Sequence, residues 1–89
     1  MQVGRRPRPK NEAYRRQFGQ HLRSLRNEHG LSQEQLSHDT GIARRYLSGI
    51  ERGEANPTID LLAALAEALD VQPADLMPPV GRPRVAKRS

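Results

Sequence analysis

The chain has 89 residues, no cysteine and a formal net charge of +5, which suits one small domain burying about 60% of its unfolded surface and excludes disulfides and thiolate metal centres. No apolar run approaches the roughly 20 residues that span a bilayer, and no apolar segment follows the N-terminal arginines as a signal peptide requires, so neither a membrane nor export is expected. His21, His29 and His38 have no partner constellation and read as surface or boundary residues rather than metal ligands.

The charge is concentrated at the two ends. Residues 1–16 carry six basic residues against Glu12 alone, residues 80–89 carry four against no acid, and the segment between them carries five arginines against nine acids. The ends thus hold +9 and the body −4. A polyanion is attracted chiefly by the ends, together with any patch that Arg44, Arg45 and Arg52 form. Taken alone, the tails read as solubilising, generic anion attractors.

The first eleven residues, MQVGRRPRPKN, have almost nothing to bury and read as a disordered basic arm. From residue 12 the spacing becomes helical, with Tyr14, Phe18, Leu22 and Leu25 on one stripe and Gly30 placed to end it. Ser32 and Gln35 form an S-x-x-Q capping box that opens a short second helix carrying Leu36 inward, and Gly41 breaks it. Ile42, Leu47 and Ile50 mark a third helix with Arg44, Arg45 and Ser48 on another face. Gly53 stops that helix, and Thr58 caps a fourth running through Asp70, with Ile59, Leu62, Leu65, Ala66 and Leu69 inward. Pro73 starts a last turn before Pro78 and Pro79 end regular structure. The reading is all-α: a compact bundle of four to five short helices over residues 12–78, between a basic arm at 1–11 and a basic tail at 79–89, with no strand and no repeat.

Such a bundle has no purpose legible from periodicity. The segment 33–52, QEQLSHDTGIARRYLSGIER, adds one. It has a small residue at its fifth position (Ser37), glycine at its ninth (Gly41) and apolar residues at its fourth, tenth, fifteenth and eighteenth (Leu36, Ile42, Leu47, Ile50). Two helices crossing steeply need a small side chain at the contact, a permissive corner and inward apolar residues to pin the second helix. The segment resembles the helix-turn-helix family of Cro and the phage repressors, the XRE family. The resemblance runs from about Phe18 to Leu76 through LSQEQL (31–36), TGIARRYLSGIERGEANPT (40–58) and LLAALAEALDV (61–71).

That resemblance implies a lambda-repressor-like fold whose second and third helices form the helix-turn-helix, and a prokaryotic, cytoplasmic, nucleoid-associated regulator of transcription such as a repressor. Carried over by position, it makes Arg44, Arg45 and Ser48 the base-reading residues, an arginine there bonding guanine O6 and N7. Gln33, Tyr46, Arg52 and Asn56 become phosphate contacts, and Arg26 with Glu51 an ion pair tying the first helix to the third. The alternative for Glu51 is a solvated acid, and for Arg44 and Arg45 a solvated face.

Three departures bear on this reading. Ala43 replaces the usual Ser or Thr cap, Gly49 replaces a long polar residue so that the contact surface is shorter, and no effector domain is expected after Leu76. The resemblance also implies a homodimer on a palindromic operator of double-stranded DNA, with Val71, Leu76 and Met77 as the interface. The alternative is a protein-binding module such as an antitoxin using the same fold. GRRPRP (4–9) and GRPR (81–84) resemble the Gly-Arg-Pro core of minor-groove peptides, with plain phosphate attraction as the alternative. Single-stranded RNA is disfavoured by having only Tyr14, Phe18 and Tyr46 for stacking. No nucleophile, carboxylate pair or phosphate loop stands in a credible setting, so neither an enzyme nor a cofactor or metal is expected.

Overall fold

The computed structural model describes residues 11–79. Along the chain lie α1 (Glu12–Glu28), α2 (Gln33–Thr40), α3 (Arg44–Glu51), α4 (Ile59–Ala68) and a 3-10 turn over Pro73–Leu76. No strand occurs among the described residues. The basic arm and tail expected at 1–11 and 79–89 lie outside them, except for Asn11 and Pro79. Asn11 corrects the sequence reading, because it is the N-cap of α1: its side-chain oxygen accepts the Tyr14 amide at 2.9 Å. First-turn amides have no partner within the helix, and an asparagine oxygen supplies one.

Local chemistry sets the boundaries of the helix-turn-helix. Ser32 and Gln35 form a reciprocal capping box, the Ser32 hydroxyl accepting the Gln35 amide and the Gln35 side chain accepting the Ser32 amide. Gly41 ends α2 at φ +77°, a left-handed conformation that costs other residues a steric penalty. The corner is tied by side chains: Thr40 Oγ1 donates to the Leu36 carbonyl at 2.7 Å and accepts the Ile42 amide at 3.1 Å. The Ser37 hydroxyl donates to the Ile42 carbonyl. Serine at the crossing is therefore small enough to pass and polar enough to satisfy a half-buried carbonyl. Ala43 offers α3 no side-chain cap.

The core draws on every element: Phe18 and Leu22 of α1, Leu36 of α2, Ile42 ahead of α3, Leu47 and Ile50 within it, Leu65 and Ala66 of α4, Leu69 after it, and Leu76 of the last turn. Two expectations are corrected here. Ile59 is 78% exposed instead of facing inward. It is the first residue of α4, and burial along its stripe grows from Ile59 through half-buried Leu62 to buried Leu65, Ala66 and Leu69. Leu76, expected in a dimer interface, is wholly buried in the monomer's own core. It has no surface to offer a partner, because the turn starting at Pro73 folds it inward.

Gly49 is buried, and among the described residues a methyl group added there meets only the Ala55 Cβ, at 3.8 Å. Its Cα–Cβ direction thus faces the segment after α3 rather than open solvent. Since glycine inside a helix costs about 1 kcal/mol against alanine, Gly49→Ala is expected to stabilise the domain by about that much, raising the thermal midpoint by about 4–8 °C in a calorimetric scan.

Candidate nucleic-acid interface

The outer face of α3 begins where the chain leaves the corner. Arg44 and Arg45 are exposed and Ser48, one turn on, is half-buried, while Leu47 and Ile50 on the opposite side are wholly buried. Helical periodicity separates the two sets, since the core takes one stripe and the remaining positions face out. Arg44, Arg45 and Ser48 line one open depression with Gln33 from the start of α2 and Arg52 after α3. Five of the seven residues assigned to DNA contact from the sequence thus share one surface. Tyr46 and Asn56 lie outside its lining and are joined to each other, Tyr46 Oη donating to the Asn56 carbonyl at 3.3 Å.

A buried ion pair stands behind this surface. Arg26 Nε donates to Glu51 Oε2 at 2.7 Å and Nη2 to Oε1 at 2.9 Å, a bidentate pair joining α1 to the end of α3. Nη1 donates to the Leu31 carbonyl at 2.8 Å, which also fixes the link into α2. Both residues are buried, and every buried side-chain nitrogen and oxygen among the described residues has a partner. Burial pushes the Glu51 carboxyl up, but the hydrogen bonds from Arg26 and Gln33 and the guanidinium charge outweigh it, leaving Glu51 below its ordinary value.

Gln33 thus has a role that its place in the sequence did not announce, Nε2 donating to Glu51 Oε1 at 3.0 Å. Its amide is oriented from behind. Glu54 was also missed. Arg52 donates to it through Nε and Nη2 at 3.1 and 3.0 Å and through Nη1 to the Ser48 hydroxyl. The hydrogen bond to Glu54 raises Arg52 and lowers Glu54, yet both are open to solvent. An exposed pair of this kind is weak and salt-screened, so a phosphate can take the place of Glu54. The R-x-E spacing was the only signal for it. No group of three or more metal-ligating side chains occurs among the described residues, and no helix there is long and apolar enough to cross a membrane.

Comparison with known proteins agrees with this geometry. The HTH_3 family, described as helix-turn-helix, matches residues 22–76. An uncharacterized HTH-type transcriptional regulator, y4dJ, of Sinorhizobium fredii is 42% identical over 65 residues, covering 73% of this chain and 84% of its own. Among solved structures, the restriction-modification controller protein C.AhdI from Aeromonas hydrophila superposes with a TM-score of 0.72 at 45% identity, over 73% of this chain and 98% of that one. SinR, the master regulator for biofilm formation, solved in complex with DNA, superposes with a TM-score of 0.64 at 38% identity, over 66% and 95% of the two chains. With the matched region reaching from Leu22 of α1 to the final turn, this chain belongs to the helix-turn-helix family HTH_3, of the XRE type.

Proposed function

We propose that this chain is a sequence-specific DNA-binding regulator of transcription, not an enzyme, and that it lays α3 in the major groove of a palindromic operator as a homodimer. One observation carries the reading. Arg44 and Arg45 project from the outer face of α3, exposed and without a hydrogen-bond or ion-pair partner among the described residues. Two guanidinium groups there are available for guanine O6 and N7, the arrangement by which arginine discriminates bases. Gln33, steadied by Glu51, and Arg52, released from Glu54, then take backbone phosphates and set the register without reading sequence. The likeness to regulators and to a DNA-bound structure supports the same conclusion, and the setting is the cytoplasm, on the nucleoid.

A dimer places two such helices on half-sites roughly one duplex turn apart. Of the residues expected at its interface, half-buried Val71 and exposed Met77 retain surface for it, whereas Leu76 does not. The test is selection of preferred duplexes from a random pool, followed by titration of the selected operator and an unrelated duplex of equal length. Arg44→Ala is expected to lose about 1–3 kcal/mol of operator preference while its circular dichroism and thermal midpoint stay unchanged. Undiminished preference in that variant, or failure of the wild type to enrich any duplex, overturns the reading.

A further inference from the structure

Ser48 stands in the middle of the candidate interface with a side chain whose hydrogen-bond direction its identity leaves open. A hydroxyl both gives and takes a hydrogen bond, so a serine facing a base edge ordinarily discriminates little. Its surroundings in this fold remove the ambiguity. Arg44, Ser48 and Arg52 are spaced four apart along α3 and its C-cap, which sets them in one row on the same face. The Arg52 amide donates to the Ser48 carbonyl at 3.1 Å, and Arg52 Nη1 donates to the Ser48 hydroxyl. The direction of the second bond is fixed by chemistry, since a guanidinium has N–H donors and no acceptor. The half-buried hydroxyl thus engages one lone pair and keeps its hydrogen, which has no acceptor among the described residues. Gln33, Arg44, Arg45 and Arg52 share the depression with it, and of these only the Gln33 side chain carries an acceptor.

The other edge of Arg52 has its own partner. Nε and Nη2 donate in parallel to the two Glu54 carboxylate oxygens at 3.1 and 3.0 Å. Two parallel N–H groups are also the means by which a guanidinium takes a phosphate, and the exposed Glu54 pair is weak enough to be displaced. Because the guanidinium is a rigid planar fork, a phosphate in the place of Glu54 leaves Nη1 directed at Ser48.

We infer that Arg52 is a positioning residue as well as a phosphate ligand: with one edge on the DNA backbone, it holds the Ser48 hydroxyl as a donor, so that Ser48 reads a base acceptor one helical turn along α3 from Arg44. The inference rests on the DNA-binding reading above and deepens it by naming what Ser48 recognises. The acceptors in the major groove are guanine O6 and N7, adenine N7 and thymine O4, whereas cytosine shows its N4 amine, a donor. Cytosine opposite Ser48 leaves the hydroxyl hydrogen without a partner in a contact closed to water, which is unfavourable. The group that finds the phosphate therefore also sets the polarity of a base-reading side chain.

The test uses the full-length chain and the selected operator, with each base pair of the half-sites replaced in turn by the other three. At one position Ser48→Ala is expected to change the preference, and there the wild type should bind guanine, adenine or thymine about three- to tenfold more tightly than cytosine, the worth of one hydrogen bond. Arg52→Ala is expected to weaken every duplex, to reduce the slope of log affinity against log salt by about 0.9 for one lost phosphate contact, and to lose the same discrimination at the Ser48 position. Adding Ser48→Ala to Arg52→Ala should alter that position no further, the non-additivity of two residues acting together. If Arg52 serves phosphate alone, Arg52→Ala weakens all duplexes while the preference at every position is kept, and that result overturns the inference. A Ser48→Ala variant with every preference unchanged overturns it too, as does one that loses a preference for cytosine, which would make Ser48 an acceptor. Arg44→Ala reports the underlying reading separately. If the wild type selects an operator and Arg44→Ala loses it while the Ser48 outcomes fail, the inference alone falls, whereas failure to select any operator removes both.

Discussion

Glu51→Ala is expected to cost the domain about 3–5 kcal/mol, the price of leaving one member of a buried ion pair alone, and Arg26→Ala about the same. For a domain with roughly 70 ordered residues, total stability is about 3–10 kcal/mol, so either variant should be largely unfolded near its former midpoint. The loss is steep because the partner left behind is buried and bidentate: among the described residues, Arg26 without Glu51 keeps only the Leu31 carbonyl as a hydrogen-bond partner, and Glu51 without Arg26 keeps only Gln33. Urea titration followed by circular dichroism gives the number. Replacing both at once, Arg26→Met with Glu51→Leu, is expected to recover most of the stability, since well-packed apolar substitutes for a buried pair are often neutral or better. A double variant as unstable as the singles would show that the pair contributes more than the removal of two buried charges.

The same pair fixes the acid limit. Glu51 titrates below its ordinary value of 4.5 when folded, so its stabilisation is complete above about pH 4.5 and disappears as the pH falls through the lower folded value. Arg26 is held above its ordinary, already strongly basic value by its hydrogen bond to Glu51, so its contribution is lost only under extreme alkali. Stability of the wild type should therefore drop on acidification below about pH 4.5, and Glu51→Gln should flatten that part of the curve while lowering its plateau.

Legibility in the sequence followed the range of the interaction. The capping box at Ser32, the left-handed corner at Gly41 and the uncapped start at Ala43 depend on neighbours a few residues away, and the structure has them where the sequence implies. The division of α3 into Leu47 and Ile50 inside and Arg44 and Arg45 outside follows from periodicity. Contacts between distant segments were not readable that way. The Gln33 amide on Glu51 spans 18 residues and the Tyr14 hydroxyl on the Pro78 carbonyl spans 64, and neither leaves a local pattern. Leu76 and Ile59 show the same limit: an apolar residue near the end of an element is inside or outside according to what lies opposite. Periodicity predicts a stripe, while its length against the neighbouring helix is settled only by packing.

Gly19 is the sharpest case. Nothing around it in α1 marks it out, and a glycine inside a helix ordinarily stabilises on becoming alanine. Here the sign should reverse. A Cβ on Gly19 would lie 2.4 Å from the Glu51 carbonyl oxygen, 2.5 Å from that of Ile50 and 2.7 Å from the Glu51 carbonyl carbon. All three are backbone atoms at the end of α3 and cannot rotate away as a side chain would, so α1 and α3 must separate. Overpacking a close-fitted core costs about 1–3 kcal/mol and occasionally more, and a clash with backbone belongs at the upper end, exceeding the gain of about 1 kcal/mol in helix propensity. Separation also pulls at the Arg26–Glu51 pair, which bridges the same two helices. With a net loss of about 2 kcal/mol, Gly19→Ala is therefore expected to lower the thermal midpoint by about 8–16 °C, at about 4–8 °C per kcal/mol, and to weaken binding to every duplex together, because α3 loses its seat while Arg44 and Arg45 are intact. Gly49→Ala, the same change in a neighbouring helix with only Ala55 opposite, should move the midpoint the other way. A midpoint for Gly19→Ala at or above that of the wild type would show that the close approach of α1 to α3 does not constrain the domain.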